Sequence, residues 1–154
     1  MSKTSFLKAG HTPTLIASFL YFDLAFMVWV LLGPLAINIS KDLGLSHAEK
    51  GLMVATPVLA GALLRLVMGV LVDRLSPKKA AIIGQVVVIA AMAYAWTFGL
   101  HSFQEVLVFG IFLGVAGSSF AAALPLASRW YPPEHQGTAI GIAAAGDSGT
   151  PLAV

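Results

Sequence analysis

The hydrophobic positions of this chain form long blocks that charged residues rarely interrupt. A helix needs roughly 20 apolar residues to cross about 30 Å of hydrocarbon. Four blocks reach that length, and a fifth begins near Thr138 and runs to Val154. A soluble helical domain would instead carry polar faces at a period of 3.6 residues. The pattern therefore predicts an all-α, polytopic membrane helix bundle. The predicted spans are residues 14–36, 51–72, 80–100, 106–128 and 138–154, the last of them truncated.

Composition favours lipid as the solvent for much of the surface. Only 10% of the 154 residues are charged and 58% are hydrophobic, whereas a soluble domain carries about 25% charged residues. The formal net charge of +2 provides no basic stripe for a nucleic-acid backbone. The chain has no cysteine for disulfides or thiolate metal sites. No histidine and carboxylate cluster has metal-ligand spacing, so we expect neither a metal nor a cofactor.

The distribution of lysine and arginine predicts the orientation in the membrane. Residues 1–13 form a polar tail that is longer than the start of a cleaved signal peptide. The apolar run that follows the tail is also too long for one. Short loops rich in lysine and arginine stay in the cytoplasm. We therefore expect a cytoplasmic tail and a multi-pass protein of the cell (inner) membrane. Six basic residues fall on the predicted cytoplasmic side and two on the other: Lys3, Lys8, Arg74, Lys78, Lys79 and Arg129 against Lys41 and Lys50.

Two short motifs near the end of the chain imitate enzyme sites. The sequence GDSGTP at residues 146–151 differs by one residue from the segment around the nucleophile of chymotrypsin-like proteases. That site needs a β-barrel, a histidine base and a buried aspartate upstream, but this serine follows a run of glycine and alanine. Residues 141–148 have P-loop glycine spacing, with Asp147 in place of the lysine that a phosphate requires. We therefore predict no catalytic residues, and a membrane-embedded hydrolase that uses Ser148 is the weakest hypothesis.

Three charged residues lie within the predicted spans, where charges are costly and mostly functional. With a rise of about 1.5 Å per helical residue, Arg65 lies roughly 10 to 12 Å from the cytoplasmic end of its span, and Asp23 and Asp147 lie at similar depths. Arg65 would offer planar, bidentate donors to a planar oxyanion. The alternative is a structural ion pair with Asp23 or Asp147. Asp23 is either a proton-coupling acid or a packing acid bonded to Tyr21 or Arg65.

Small residues are frequent within the spans, which allows helix backbones to approach closely. In the fifth span, Gly141, Gly146 and Gly149 would allow either a neighbouring helix or a small ligand to approach the backbone. Plain helix packing and ligand binding both remain open for these three glycines. The other small residues that we assign to helix packing are Gly61, Ala62, Gly69, Gly110, Gly114, Gly117, Ser118 and Ser119.

The loop after the second span carries a recognisable motif. Its sequence GVLVDRLSPKK resembles the loop motif of the major facilitator superfamily, Gly-x-x-x-Asp-Arg followed by paired basic residues. Ser76 stands where that family often has glycine. An aspartate at a helix end beside basic residues can pair with neighbouring helix termini, and so hold one state of a rocking transporter. The residues that match the motif are Gly69, Asp73, Arg74, Lys78 and Lys79.

Three further stretches resemble the nitrate/nitrite porter branch of that superfamily: YFDLAFMVWVLLGPLA, FLGVAGSSFAAALPLASRWYPPEHQGTAIGI and GIAAAGDSGT. The resemblance implies that Arg65 binds nitrate or nitrite and that Gly141, Gly146 and Gly149 belong to the nitrate signature. It also implies inward nitrate transport, by proton symport or by exchange for nitrite. The signature usually has asparagine where this chain has Asp147. A negative charge there should weaken anion binding unless it is protonated or paired with Arg65.

The resemblance also implies twelve spans and a second arginine contributed by the other half of the transporter. We therefore expect this chain to be an N-terminal fragment, a partial six-helix half over residues 14–154, whose missing partner is the C-terminal half. Two alternatives remain open. The parent protein could transport another small anion, or the chain could be a non-transporting membrane segment that only packs with a partner.

Overall fold

The computed structural model describes residues 6–146, apart from the side chain of Leu7, and this part of the chain is helical without strands. Four stretches are long and apolar enough to cross a membrane, which confirms the all-α membrane fold class. These stretches are Thr12–Asp42, His47–Leu75, Pro77–Phe98 and Phe103–Ser128. The helices are α1 (Phe6–Ala9), α2 (Thr12–Trp29), α3 (Leu32–Asp42), α4 (His47–Leu75), α5 (Pro77–Phe98), α6 (Phe103–Gly117), α7 (Phe120–Ser128) and α8 (Pro133–Ala144).

Capping groups, and not the limits of the apolar blocks, set the helix ends. At the start of α4, Ser46 Oγ accepts a hydrogen bond from Glu49 N–H, and the Glu49 carboxylate accepts one from Ser46 N–H at 2.8 Å. This reciprocal capping box satisfies two backbone donors. It starts α4 four residues before the predicted apolar block. At this end, α4 therefore extends past the hydrophobic run that predicts it.

The first span is interrupted at residues 30–31, which separates α2 from α3. Pro34 has no N–H, and its ring would clash with the carbonyl four residues earlier, that of Val30. In the structure, the Val30 carbonyl accepts from Gly33 N–H at 2.9 Å instead. The tighter turn preserves the overall direction of the span and places Trp29 at the break.

The fourth span is interrupted at residues 118–119, which separates α6 from α7. Consecutive glycine and serine residues favour kinks, and Ser118 Oγ donates to the Val115 carbonyl at 2.6 Å, in competition with the helical ladder. Ala121 N–H, the partner of the Gly117 carbonyl in a continuous helix, donates to the Ser118 carbonyl at 3.1 Å. The break therefore leaves the Gly117 carbonyl available to a group outside its own helix.

The closest helix packing joins α4 to α6. A methyl group added at Gly114 would lie 2.5 Å from Ala60 Cβ and 2.8 Å from Gly61 N. The two backbones are thus in direct contact, as expected for a membrane bundle that is held by close packing. The opposite face of α4 points outward, where Leu63 and Leu66 are 69% and 74% exposed. Such an apolar outer surface is suited to lipid.

The two ends of the described chain are docked against the bundle. The predicted tail contains α1, whose Phe6 ring stacks on Tyr131 with 4.8 Å between ring centroids. Gly10 lies against the Trp130 carbonyl, where a methyl group would come within 2.5 Å. The fifth predicted span begins earlier than the hydropathy pattern indicates, at Pro133, because proline is well suited to the first turn of a helix. From there α8 packs against α2 and α7.

Candidate anion site

Arg65 lies on α4 with its side chain half-buried, facing the break in the fourth span. Its Nε–H donates to the Gly117 carbonyl at 3.2 Å, across 52 residues of sequence. That carbonyl is available because the helix breaks immediately after Gly117. A hydrogen bond to a charged group is stronger than a neutral one, so this bond fixes the base of the guanidinium.

Two aromatic rings hold the guanidinium of Arg65. Its central carbon lies 5.4 Å from the ring centroid of Trp29 and 5.4 Å from that of Phe120. Both distances fall within the range of a cation–π interaction, which becomes stronger when the pair is removed from water. Trp29 comes from the break in the first span and Phe120 from the break in the fourth. The two helix breaks therefore converge on a single cation.

Trp29 is itself held in place by backbone contacts. Its indole N–H donates to the Pro57 carbonyl on α4 at 2.8 Å. A methyl group at Gly61 would lie 2.9 Å from the indole nitrogen, and one at Gly117 would overlap the ring. These two glycines therefore form the seat in which the indole rests. Their lack of a side chain lets Trp29 reach Arg65.

The charge of Arg65 has no acidic partner among residues 6–146. The structure shows one ion pair in that range, between His101 and Glu105 at 3.9 Å. The alternative hypothesis of an ion pair with Asp23 is therefore not supported by the structure, and Asp147 lies outside the described range. The terminal nitrogens of Arg65 also make no hydrogen bond to the described residues. Within residues 6–146, no group competes with an anion for these donors.

Asp23 is half-buried on α2, and its carboxylate makes no hydrogen bond to Tyr21 or to any other described residue. Gly146 packs against the α2 backbone at this position. A methyl group on Gly146 would lie 2.7 Å from the Phe19 carbonyl and 2.9 Å from Asp23 N. The structure thus brings together Asp23 and one of the three glycines of the nitrate signature.

The other two glycines of the signature do not join them in the described structure. Gly141 is exposed on α8, and a methyl group there would meet nothing within 4 Å. Gly149 lies outside the described residues, as do Asp147 and Ser148. Of the described signature glycines, Gly146 therefore makes the close backbone contact, two residues after the end of α8.

The loop motif lies at the end of the bundle that carries most of the basic residues. A single residue, Ser76, joins α4 to α5, with the positive φ angle of 130° that favours glycine. Its hydroxyl accepts a long hydrogen bond of 3.4 Å from Lys79 N–H. Gly69 lies one and a half turns before the end of α4, with open space where a side chain would be. The charged side chains of the motif are all exposed, with no ion pair to a described residue: Asp73, Arg74, Lys78 and Lys79.

The sequence pattern identifies Arg65 but not the residues around it. Trp29 and Phe120 lie within stretches that resemble the nitrate/nitrite porters, yet no pattern assigned either of them to the site. The available signal was their position beside helix breaks, at a Gly-Pro pair and after a Gly-Ser-Ser run. Within residues 6–146, no three histidine, cysteine or carboxylate side chains are grouped as a metal site would require.

Comparisons with known proteins agree with this architecture. The family model of the Major Facilitator Superfamily matches residues 15–153. A probable nitrate/nitrite transporter NarK2 of Mycobacterium tuberculosis is 41% identical over 130 residues, which cover 82% of this chain and 32% of that protein. A probable nitrate/nitrite antiporter NarK1 of Thermus thermophilus is 32% identical over 86% of this chain and 29% of that protein. A nitrite extrusion protein of Bacillus subtilis is 33% identical over 81% of this chain and 31% of that protein.

The chain spans about a third of the length of these curated relatives. The family model, in contrast, accounts for nearly all of the chain itself, from the second turn of α2 onward. The interrupted spans, the one-residue α4–α5 connection and the half-buried Arg65 all lie within the matched range. The chain belongs to the major facilitator superfamily.

Proposed function

We propose that the complete protein containing this chain transports nitrate or nitrite across the membrane, with Arg65 as an anion ligand. One observation carries the proposal: the guanidinium is fixed by Gly117 and two aromatic rings, while its terminal N–H groups have no partner among the described residues. The names of the three relatives, each concerned with nitrate or nitrite, supply the substrate.

The chemistry of the two groups is complementary. Nitrate and nitrite are planar oxyanions, and a guanidinium presents planar donors that can bond two oxygens side by side. In surroundings of low dielectric, the attraction between opposite charges is several times that in water. The site is therefore suited to a small, singly charged anion that must lose most of its water to enter.

Coupling of transport to an ion gradient would use the two acidic residues within the predicted spans. Asp23 lies beside Gly146, half-buried and without a hydrogen-bond partner in residues 6–146. Acidic residues within membrane spans often form proton pathways, so Asp23 and Asp147 are our candidates for proton symport. Exchange of nitrate for nitrite is the alternative coupling mode, in which both acids would have structural roles.

The proposal extends to topology and to the rest of the molecule. Since most basic residues lie at the end of the bundle that holds the α4–α5 connection, we assign that end and the N-terminus to the cytoplasm. The membrane would be the cell (inner) membrane. We propose that residues 14–154 belong to the N-terminal half of a transporter whose C-terminal half completes the anion site.

The test is nitrate uptake by the complete protein in vesicles, comparing Arg65 with Arg65→Lys. Lysine keeps the charge but loses the planar fork, so we expect uptake to fall at least tenfold at equal protein levels. Lys41→Arg, the converse exchange at an exposed residue at the other end of the bundle, serves as the control and should leave uptake unchanged. Normal uptake by Arg65→Lys would refute the role assigned to Arg65.

A competition experiment distinguishes nitrate and nitrite from other anions. Unlabelled nitrate, nitrite, formate, chloride and sulfate are each added to the same uptake assay. We expect nitrate and nitrite to compete best. Stronger competition by another anion would replace the proposed substrate, and absence of any uptake by the complete protein would favour a packing role.

A further inference from the structure

A pocket of about 770 Å³ lies between the start of α2, the start of α5 and the end of α7. Arg65 is not among its lining residues, and the pocket lies at the end of the bundle where the basic residues collect. The polar groups that line it come from all three helices and their connections. They are His11, Thr14, Tyr21, Ser76, Lys78 and Arg129.

The charge of the pocket is positive. Lys78 and Arg129 both line it and both have exposed side chains, and no aspartate or glutamate is among its lining residues. Neither basic group forms an ion pair within residues 6–146. The His11 ring directs Nδ1 towards the Thr14 hydroxyl at 2.7 Å, which leaves Nε2 for a ligand in the pocket. An anion placed there would meet two cations without a competing carboxylate.

The remaining walls of the pocket are apolar. Ala17, Ala81, Ile82 and Leu126 line it, and Ile82 on α5 is more than half exposed on the outer surface. Trp130, also in the lining, is 54% exposed, as is typical of a tryptophan at a membrane interface. A charged region that continues into an exposed apolar surface matches a molecule with an anionic head and a hydrocarbon tail.

We propose that this pocket binds the headgroup of an anionic phospholipid of the phosphatidylglycerol class. Basic pockets between transmembrane helices on the cytoplasmic side favour anionic headgroups. The phosphate would accept from Lys78 and Arg129, and an acyl chain would follow α5 past Ile82. Because Ser76 also lines the pocket, the bound lipid would contact the single-residue connection of the loop motif. The inference rests on the proposed cytoplasmic placement of this end of the bundle and does not depend on the transported substrate.

Native mass spectrometry of the delipidated complete protein tests this assignment. Equimolar phosphatidylglycerol and phosphatidylcholine are titrated into detergent solution, with inorganic phosphate present as a separate competitor. We expect phosphatidylglycerol to be retained preferentially. The double variant K78Q/R129Q should bind it about 25-fold more weakly, from about fivefold for each basic residue near an anionic lipid surface.

Two further variants make the result specific. The double variant K41Q/K50Q removes the same charge at the opposite end of the bundle and should retain the lipid. The exchange K78R/R129K keeps both charges in the pocket and should also retain it, which guards against loss of folding in the neutral variant. Equal retention of both lipids, equal binding by K78Q/R129Q, or occupancy by inorganic phosphate in place of phosphatidylglycerol would overturn the proposal.

Discussion

Arg65 on α4 donates its Nε–H to the carbonyl of Gly117, 52 residues later, at a distance of 3.2 Å. The bond depends on the helix break after Gly117, because a continuous helix would direct that carbonyl to its own ladder. The same glycine also forms part of the seat of Trp29, whose ring faces the Arg65 guanidinium. One residue without a side chain therefore supports two of the three contacts that fix the cation.

Gly117→Ala should destabilise the protein and impair the site. The new methyl group would overlap the Trp29 ring, and overpacking of this kind costs about 1–3 kcal/mol. We expect a lower midpoint of thermal unfolding in detergent, together with reduced nitrate uptake by the complete protein. Gly51→Ala is the matched control, because Gly51 is an exposed residue of α4 with open space around it. That control should raise stability by about 0.5–1 kcal/mol; a fall similar to that of Gly117→Ala would contradict the steric argument.

Trp29→Leu should weaken binding of the transported anion. It removes the ring that faces Arg65, and a cation–π contact contributes about 0.5–2 kcal/mol. The KM for nitrate should therefore rise by about 2- to 30-fold. Trp29→Phe keeps a ring but loses the hydrogen bond to the Pro57 carbonyl. Its KM should therefore lie between that of the unmodified protein and that of Trp29→Leu. The measurement is the concentration dependence of uptake at matched protein levels. An unchanged KM in Trp29→Leu would show that Trp29 does not orient the arginine.

Ser76→Gly should stabilise the protein. Serine at a φ of 130° carries backbone strain of about 1–3 kcal/mol. Glycine relieves the strain, and replacing a capping residue by glycine costs only a few tenths of a kcal/mol. Ser76→Ala should destabilise the protein, because it keeps the backbone strain and loses the hydroxyl that caps α5. Thermal unfolding should rank the proteins in the order glycine, serine, alanine, and a glycine variant less stable than the parent would contradict the strain argument.

Ser118→Ala and Ser119→Ala should have opposite effects on stability. Both serines are almost fully buried at the break in the fourth span. Ser118 Oγ donates to the Val115 carbonyl, whereas Ser119 Oγ has no hydrogen-bond partner in the described structure. Removing a made bond costs about 0.5–1.5 kcal/mol, and removing an unsatisfied buried hydroxyl relieves a penalty of about 1–3 kcal/mol. Parallel thermal unfolding of the two variants checks the order. Destabilisation by Ser119→Ala would indicate a partner for that hydroxyl in the complete protein.

The sequence by itself determined that this protein lies in lipid and that it is built from membrane-spanning helices. A helix in lipid must be apolar along its whole length, so four spans and a membrane fold follow from composition and block length. An arginine within such a block is conspicuous because it is costly there, and the hydropathy pattern alone is therefore enough to single out Arg65. The loop motif is recognisable because its spacing and its place between two spans agree.

Only the tertiary structure decided what surrounds Arg65. A span that is hydrophobic on every side has no period that separates its inner face from its outer face. The sequence therefore could not tell that Trp29 and Phe120 face the arginine while Leu63 and Leu66 face outward. Nor could it separate the glycines from one another: Gly114 and Gly117 lie at helix contacts as predicted, whereas Gly69, predicted to pack in the same way, has open space around it. Which residues meet is set by the packing of helices far apart in the chain, and that packing exists only in the folded bundle.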